Sequence, residues 1–184
     1  MTSIYLCSVI IQVICILLAM LVFLSIKNSK NQTRDKQLLI AILYSYLILT
    51  VTDIFDNLAR GSIFILPYYL NAVVNAVCFS AAGAGCYYWF VYMDERTERS
   101  ILKKPIIQKV MKAPIYFLYA LNALSIFTSW IFIIQPDGTY QEGPLFVLQE
   151  AIPIFYLIAA FGHLIVEIAS HRARNKKKTL FFNV

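Results

Sequence analysis

The sequence alternates long, uncharged apolar runs with short polar segments, and this alternation constrains the fold more than any other feature. Each of the five runs reaches the ~20 residues that a helix needs to cross ~30 Å of hydrocarbon. The chain is 60% hydrophobic over 184 residues, which is too apolar for a soluble domain of this size. Because a backbone in lipid must satisfy its own hydrogen bonds, we expect helices. The sequence therefore predicts an all-α, polytopic transmembrane helical bundle.

The limits of the apolar runs predict five spans. They cover approximately residues 4–26, 38–58, 67–93, 113–134 and 145–169. The strands of an outer-membrane barrel would be shorter and would alternate apolar with polar residues, unlike these runs. Residues 1–178 are therefore expected to form a single transmembrane domain.

The Lys and Arg residues between the spans predict the topology. Residues 27–36 contain four of them, Arg60 is one, residues 96–112 contain six, residues 135–143 none and residues 172–178 five. Short segments rich in Lys and Arg stay on the cytoplasmic side of a membrane. The alternation predicts an N-terminus outside and a C-terminus inside. Since every basic cluster borders a span, anionic headgroups explain the net charge of +6, and we expect no nucleic-acid partner.

Polar side chains at membrane depth are costly, and several occur at the predicted outer ends of spans 2, 3 and 5. These are Asp53, Asp56, Asn57, Asn71, Asn75, Gln149 and Glu150. Within spans 2 and 3, spacings of three or four residues place them on one helical face. They predict an outward-facing, negatively charged pocket for a cation, an amine or another polar small molecule. The alternative is interhelical hydrogen bonding near the headgroups, and the sequence leaves both open.

Signals for catalysis or metal binding are weak. The four cysteines lie inside apolar runs and lack metal-ligand spacing. His163 and Glu167 are one helical turn apart, but two ligands are too few for a metal site. For His163 we expect a local hydrogen bond or a position at the membrane interface. Phosphate-binding loops, a nucleophile elbow and HExxH are absent from the sequence. We expect no catalytic residue, metal or cofactor.

Several short segments carry further predictions. The small residues of 80–85 let helices approach closely, so span 3 is predicted to be the central helix.

Residues 94–112 are predicted to be a surface linker, because Pro105 interrupts a helix. Pro136-Asp-Gly138 predicts a turn in the outer loop. Residues 179–184 are either a surface tail or the start of a truncated sixth span, and we favour the second.

Between Leu38 and Lys178 the sequence contains four short motifs whose order along the chain resembles that of a known group of proteins. They are Asp53-Ile-Phe-Asp56, Leu70-Asn-Ala-Val-Val-Asn75, Tyr88-Trp-Phe-Val-Tyr92 and Gly143-Pro-Leu-Phe-Val-Leu-Gln149. This order resembles the multi-span N-terminal sensor regions of Firmicute signalling proteins, which usually precede a GGDEF (diguanylate cyclase) domain. The chain has no GGDEF motif, so the resemblance assigns it no cyclase activity.

The resemblance implies a sensory, signal-transducing domain in a bacterial cytoplasmic membrane. Its helix packing would control a cytoplasmic output domain that is absent from this chain. The expected partners are the lipid bilayer and a small-molecule ligand, and a homodimer is left open. One alternative is a small-molecule transporter or its membrane substrate-binding subunit, which should show broken helices or an inverted repeat. Another is a scaffold subunit, in which the polar residues only join helices.

Overall fold

The computed structural model describes residues 2–28, 33–60, 67–97, 100–135 and 140–182. It contains five long helices: α1 (Thr2–Lys27), α2 (Arg34–Arg60), α3 (Tyr68–Glu95), α4 (Pro105–Thr128) and α5 (Phe146–Phe182). A short 3-10 helix (Ile101–Lys103) precedes α4, and strands β1 (Phe132–Ile134) and β2 (Tyr140–Glu142) precede α5. All five α-helices are long and apolar enough to cross a membrane, which confirms the predicted all-α transmembrane bundle.

Helix α3 lies at the centre of the bundle, as its small residues predict, and packs against α2, α4 and α5. Helix α1 packs mainly on α2 and leaves most of its apolar side chains exposed, as expected for a helix facing lipid. Sequential neighbours in the bundle run antiparallel, whereas α3 and α5 run parallel. Their parallel course brings Phe79 close to Gln149 at one end and Asp94 close to His163 at the other.

The two ends of the bundle differ in chemistry, and we name them accordingly. At the hairpin end, β1 and β2 pair antiparallel and pack against α3. At the basic end, Arg34 lies 3.4 Å from Glu95, and Arg96 lies 3.7 Å from Asp35. These two ion pairs join the start of α2 to the end of α3. The positive-inside rule predicts that the basic end faces the cytoplasm.

Helix α4 packs closely on α3 at Gly83. A Cβ atom on Gly83 would lie 2.8 Å from Cδ2 of Leu118 and 3.0 Å from Cδ1 of Ile115. A Cβ on Gly85 would lie 3.7 Å from Cβ of Ser45, which is ordinary van der Waals contact. A side chain at residue 83 would therefore displace the ends of Leu118 and Ile115, whereas residue 85 has room for a methyl group.

Helix α4 differs from the predicted fourth span, residues 113–134. It begins at Pro105 and ends at Thr128, where Ser129 adopts a left-handed conformation with φ of 57°. The N–H of Ser129 donates to the carbonyl of Ser125 at 3.0 Å. Pro105 starts the helix because a residue in the first turn needs no intrahelical N–H bond. The last predicted residues of the span, 132–134, instead form β1.

Helix α5 continues past residue 169, the predicted end of the fifth span, through the basic run to Phe182. No Gly or Pro occurs between Gly162 and this end, and Lys, Arg and Ala favour helix. The helix is also continuous across Pro153. The predicted turn at residues 136–138 lies outside the described residues, as do residues 183–184.

Candidate functional site

A cavity of about 240 Å³ lies at the hairpin end. Asp53 and Asp56 line it from α2, and Asn75 lines it from α3. Glu142 contributes from β2, and Phe146 from the first turn of α5. The structure thus brings three of the predicted pocket residues around one cavity, and it adds a carboxylate from the hairpin.

Two asparagines of α3 form a hydrogen-bonded pair one helical turn apart. Nδ2 of Asn75 donates to the main-chain oxygen of Asn71 at 3.0 Å and to its Oδ1 at 2.9 Å. Both side chains are buried. Because two hydrogen bonds fix its amide, Asn75 is held in one orientation in the cavity wall. Asn71 contributes to the site by holding Asn75.

The carboxylate of Asp53 joins α1 to α2. It accepts hydrogen bonds from Nε2 of Gln12 and, at 3.4 Å, from Nδ2 of Asn57. Asn57 also donates to the main-chain oxygen of Asp53 at 3.0 Å. Gln12 is absent from the residues predicted from sequence. The signal that could have identified it is that Gln12 is the only amide side chain in α1, where an unpaired amide in lipid would be costly.

The cavity combines negative charge with aromatic walls. Among its described lining residues, Asp53, Asp56 and Glu142 are acidic and none is basic. Three aromatic residues also line the cavity, and the ring centroid of Phe79 lies 6.1 Å from that of Tyr140 and 5.8 Å from that of Phe146. Carboxylates and the faces of aromatic rings both attract cations. This arrangement suits a small amine or a quaternary ammonium compound.

The two predicted residues of α5 occupy different environments. Gln149 is buried, and its Nε2 donates to the carbonyl of Phe79 at 3.0 Å. It therefore ties α5 to the α3 segment that lines the cavity. Glu150 is exposed and is not among the described residues of the cavity wall. Consecutive residues of a helix point about 100° apart, since an α-helix has 3.6 residues per turn.

A second polar cluster lies at the basic end and centres on Asp94, whose side chain is fully buried. Its carboxylate accepts hydrogen bonds from Oγ of Ser100 at 2.5 Å and from the main-chain N–H groups of Ile101 and Leu102 at 2.9 and 3.2 Å. Nε2 of His163 lies 3.3 Å from Oδ1 of Asp94. Asp94 thereby joins α3, the 3-10 helix and α5.

His163 also contacts Thr97, whose Oγ1 lies 3.0 Å from Nε2. Thr97 in turn donates to the main-chain oxygen of Asp94 at 2.7 Å. These contacts of His163 connect helices, whereas the sequence predicts only a local bond or an interfacial position. The sequence offers a weak signal for this cluster, because Asp94 stands at the end of an apolar run where exposed carboxylates are common.

The carboxylates, amides and aromatic rings at the hairpin end can hold a cation or a hydrogen-bonding small molecule. Within the part of the chain that the structure describes, no group of three His, Cys, Asp or Glu residues is placed to hold a metal ion. No protein-family model, curated protein or solved structure matches this chain. A functional proposal therefore rests on the fold, the geometry of the site and the pattern of the sequence.

Proposed function

We propose that this chain is a membrane-embedded sensory domain that binds a small polar or cationic ligand at the hairpin end. Ligand binding would alter helix packing and so control an output domain outside this chain. The observation that carries the proposal is the acidic cavity of about 240 Å³ whose walls come from α2, α3, β2 and α5. A ligand that binds one arrangement of these elements better than another shifts their equilibrium.

The size and charge of the cavity define the ligand class. At about 30 Å³ for each water molecule in the liquid, the cavity has room for roughly eight waters. A small compound of similar heavy-atom number matches this volume, which lies below the ~300–1,000 Å³ typical of pockets for drug-sized ligands. Three lining carboxylates without a lining basic residue among those described favour a positively charged group. Small primary amines and quaternary ammonium compounds meet both criteria.

Helix α5 provides the physical connection between the two ends. At the hairpin end, Phe146 lines the cavity and Gln149 is bonded to Phe79. At the basic end, His163 on the same helix contacts the buried Asp94. A ligand that displaces the first turn of α5 would therefore also change the contacts at the basic end. The positive-inside rule predicts that the cavity faces the outside of the cell, and the proposed output domain would then lie beside the basic end in the cytoplasm.

The resemblance to Firmicute sensor regions supports the same proposal and makes a diguanylate cyclase the expected output. The transporter alternative predicts helices that are broken near the middle of the membrane. Helices α4 and α5 instead continue across Pro114 and Pro153. This continuity favours the sensor over the transporter.

Ligand binding can be tested by thermal unfolding of the purified chain in dodecylmaltoside with a panel of small cations. Tetramethylammonium, choline and 1,4-diaminobutane are suitable probes, with equal ionic strength of sodium chloride as the reference. A ligand at 100 times its Kd stabilises the folded state by about 2.7 kcal/mol. For a chain of this size, the melting temperature should rise by roughly 5–11 °C.

Matched variants identify the site. Asp56→Asn and Glu142→Gln remove carboxylates that line the cavity, and both should abolish the rise. Glu150→Gln removes an exposed carboxylate of α5 outside the cavity wall and should leave the rise intact. Equal rises in all three variants, or no rise with any cation, would contradict the proposal.

Coupling between the ends can be measured by pulsed electron paramagnetic resonance. Spin labels at Val110 on α4 and Val166 on α5 occupy exposed positions. The stabilising cation should change the distance distribution between them, and Asp56→Asn should prevent this change. Cation uptake into proteoliposomes without such a change would instead support a transporter.

A further inference from the structure

A cleft on another face of the bundle lies between α2 and α4, both of which pack on α3. Its first part, of about 400 Å³, is floored by small residues of α3, including Ala76, Ser80 and Ala84. Its walls include Ile48 of α2 and Ile126 of α4. This part is almost entirely apolar and forms an open groove on the lipid-facing surface.

The second part of the cleft, of about 280 Å³, lies toward the basic end. It is lined by Lys112 and Gln108 of α4 and by Tyr87 and Tyr88 of α3. Tyr119 lines both parts, so the two cavities meet at this residue. The cleft therefore has a polar, basic end and an apolar end, separated by one tyrosine.

Lys112 gives the polar end its charge. Its side chain is half-buried, and it forms no ion pair with any described residue. Gln108, one helical turn earlier, and the tyrosine hydroxyls supply hydrogen-bond donors. None of the described residues that line this part is acidic. An ammonium group among neutral donors is complementary to an anion such as a phosphate.

The shape of the whole cleft restricts the identity of the anion. From Lys112 to Ile126 the cleft follows fourteen residues of α4, or about 21 Å. One leaflet of a bilayer has about 15 Å of hydrocarbon, half of the ~30 Å total. A free phosphate would leave the apolar groove empty, whereas an anionic phospholipid with its phosphate at Lys112 would extend its acyl chain past Tyr119 into the groove. Basic pockets between helices on the cytoplasmic side of a membrane are typical sites for anionic lipid headgroups.

We propose that this cleft binds one anionic phospholipid from the leaflet at the basic end. The lipid phosphate lies at Lys112 and Gln108, and one acyl chain passes Tyr119 and covers the floor formed by Ala76, Ser80 and Ala84. This site is separate from the acidic cavity at the hairpin end and does not depend on its ligand.

Native mass spectrometry of the full chain, with equal amounts of phosphatidylglycerol and phosphatidylcholine in the micelles, tests the headgroup. One retained phosphatidylglycerol is expected, in preference to phosphatidylcholine. Lys112→Gln should weaken this retention roughly fivefold, the factor that corresponds to one basic residue at a membrane surface. Lys109→Gln is the matched control, because Lys109 is exposed on the same helix and does not line the cleft.

A second pair of variants tests the acyl chain. Ala123→Phe places a ring in the apolar groove, which Ala123 lines, and should displace the lipid while the chain still folds. Ala120→Phe, at an exposed position outside the lining, should retain it. The melting temperature of each variant separates loss of the lipid from loss of the fold.

Several outcomes would contradict the proposed lipid site. Equal losses in Lys112→Gln and Lys109→Gln would show only general charge attraction, and equal retention of the two lipids would show no headgroup recognition. Competition by inorganic phosphate as strong as by phosphatidylglycerol, with no effect of Ala123→Phe, would identify a free anion as the ligand.

Discussion

Replacing Asp94 with alanine tests how the bundle is held together at the basic end. In the folded chain this carboxylate is fully buried and accepts hydrogen bonds from Ser100 Oγ and from the N–H groups of Ile101 and Leu102. It also contacts Nε2 of His163 at 3.3 Å. The substitution removes every one of these contacts at once, and alanine offers no replacement acceptor.

The size of the effect follows from the donors that lose their partner. A buried donor left unpaired costs about 1–3 kcal/mol. The two main-chain N–H groups would together cost about 2–6 kcal/mol. Ile101 and Leu102 are only partly buried, so water recovers some of this loss, and we expect about 2–4 kcal/mol. Asp94→Asn keeps one carbonyl oxygen as an acceptor and should lose about half as much.

Unfolding by sodium dodecyl sulphate in decylmaltoside micelles, followed by circular dichroism, measures this difference. Asp35→Ala is the control, because Asp35 forms a partly exposed ion pair with Arg96 at the same end of the bundle. Such pairs contribute only about 0–1 kcal/mol. If Asp94→Ala unfolds like Asp35→Ala, the carboxylate does not hold α3, the 3-10 helix and α5 together, and the reasoning from its hydrogen bonds is refuted.

Two further predictions follow from packing and from charge. Gly83→Leu should destabilise the bundle by about 1–3 kcal/mol in the same assay, because its side chain would overlap Leu118 and Ile115. Gly85→Ala should be nearly neutral, and equal effects of the two changes would contradict the packing of α4 on α3. For topology, single cysteines placed in residues 27–36 and in residues 135–143 of a cysteine-free chain should react with impermeant thiol reagents from opposite faces of the membrane. Labelling of both from one face would contradict the predicted orientation.

The helical bundle is predictable from sequence because the thickness of the bilayer imposes it. A run of about 20 apolar residues is long enough to cross the hydrocarbon, and a span in lipid is helical because its backbone must satisfy its own hydrogen bonds. The limits of the helices are less predictable. Residues 132–134 are as apolar as the span they follow, yet they form β1, because the left-handed conformation at Ser129 ends α4. Apolar composition alone does not distinguish a buried strand from the last turn of a helix.

Polar contacts within one helix were predictable, and contacts between helices were not. Spacing along the chain places Asn75 next to Asn71, and their hydrogen bonds follow it. The bond from Gln12 to Asp53 and the contact of His163 with Asp94 depend instead on how each helix is rotated about its axis. The packing of neighbouring helices determines this rotation. The spacing of residues along a single helix does not specify it.

The arrangement of charges and of α5 together indicates how the proposed sensor would respond. Asp53 and Asp56 approach the cavity from α2, and Glu142 approaches it from the hairpin. Like charges across one cavity repel, so the empty site favours separation of these elements, and a bound cation favours their approach. The start of α5 would move with the hairpin, because the ring centroid of Phe146 lies 6.4 Å from that of Tyr140 on β2. Cation binding should therefore draw the hairpin and the adjoining start of α5 toward α2, and should change the contact between His163 and Asp94 at the other end of α5.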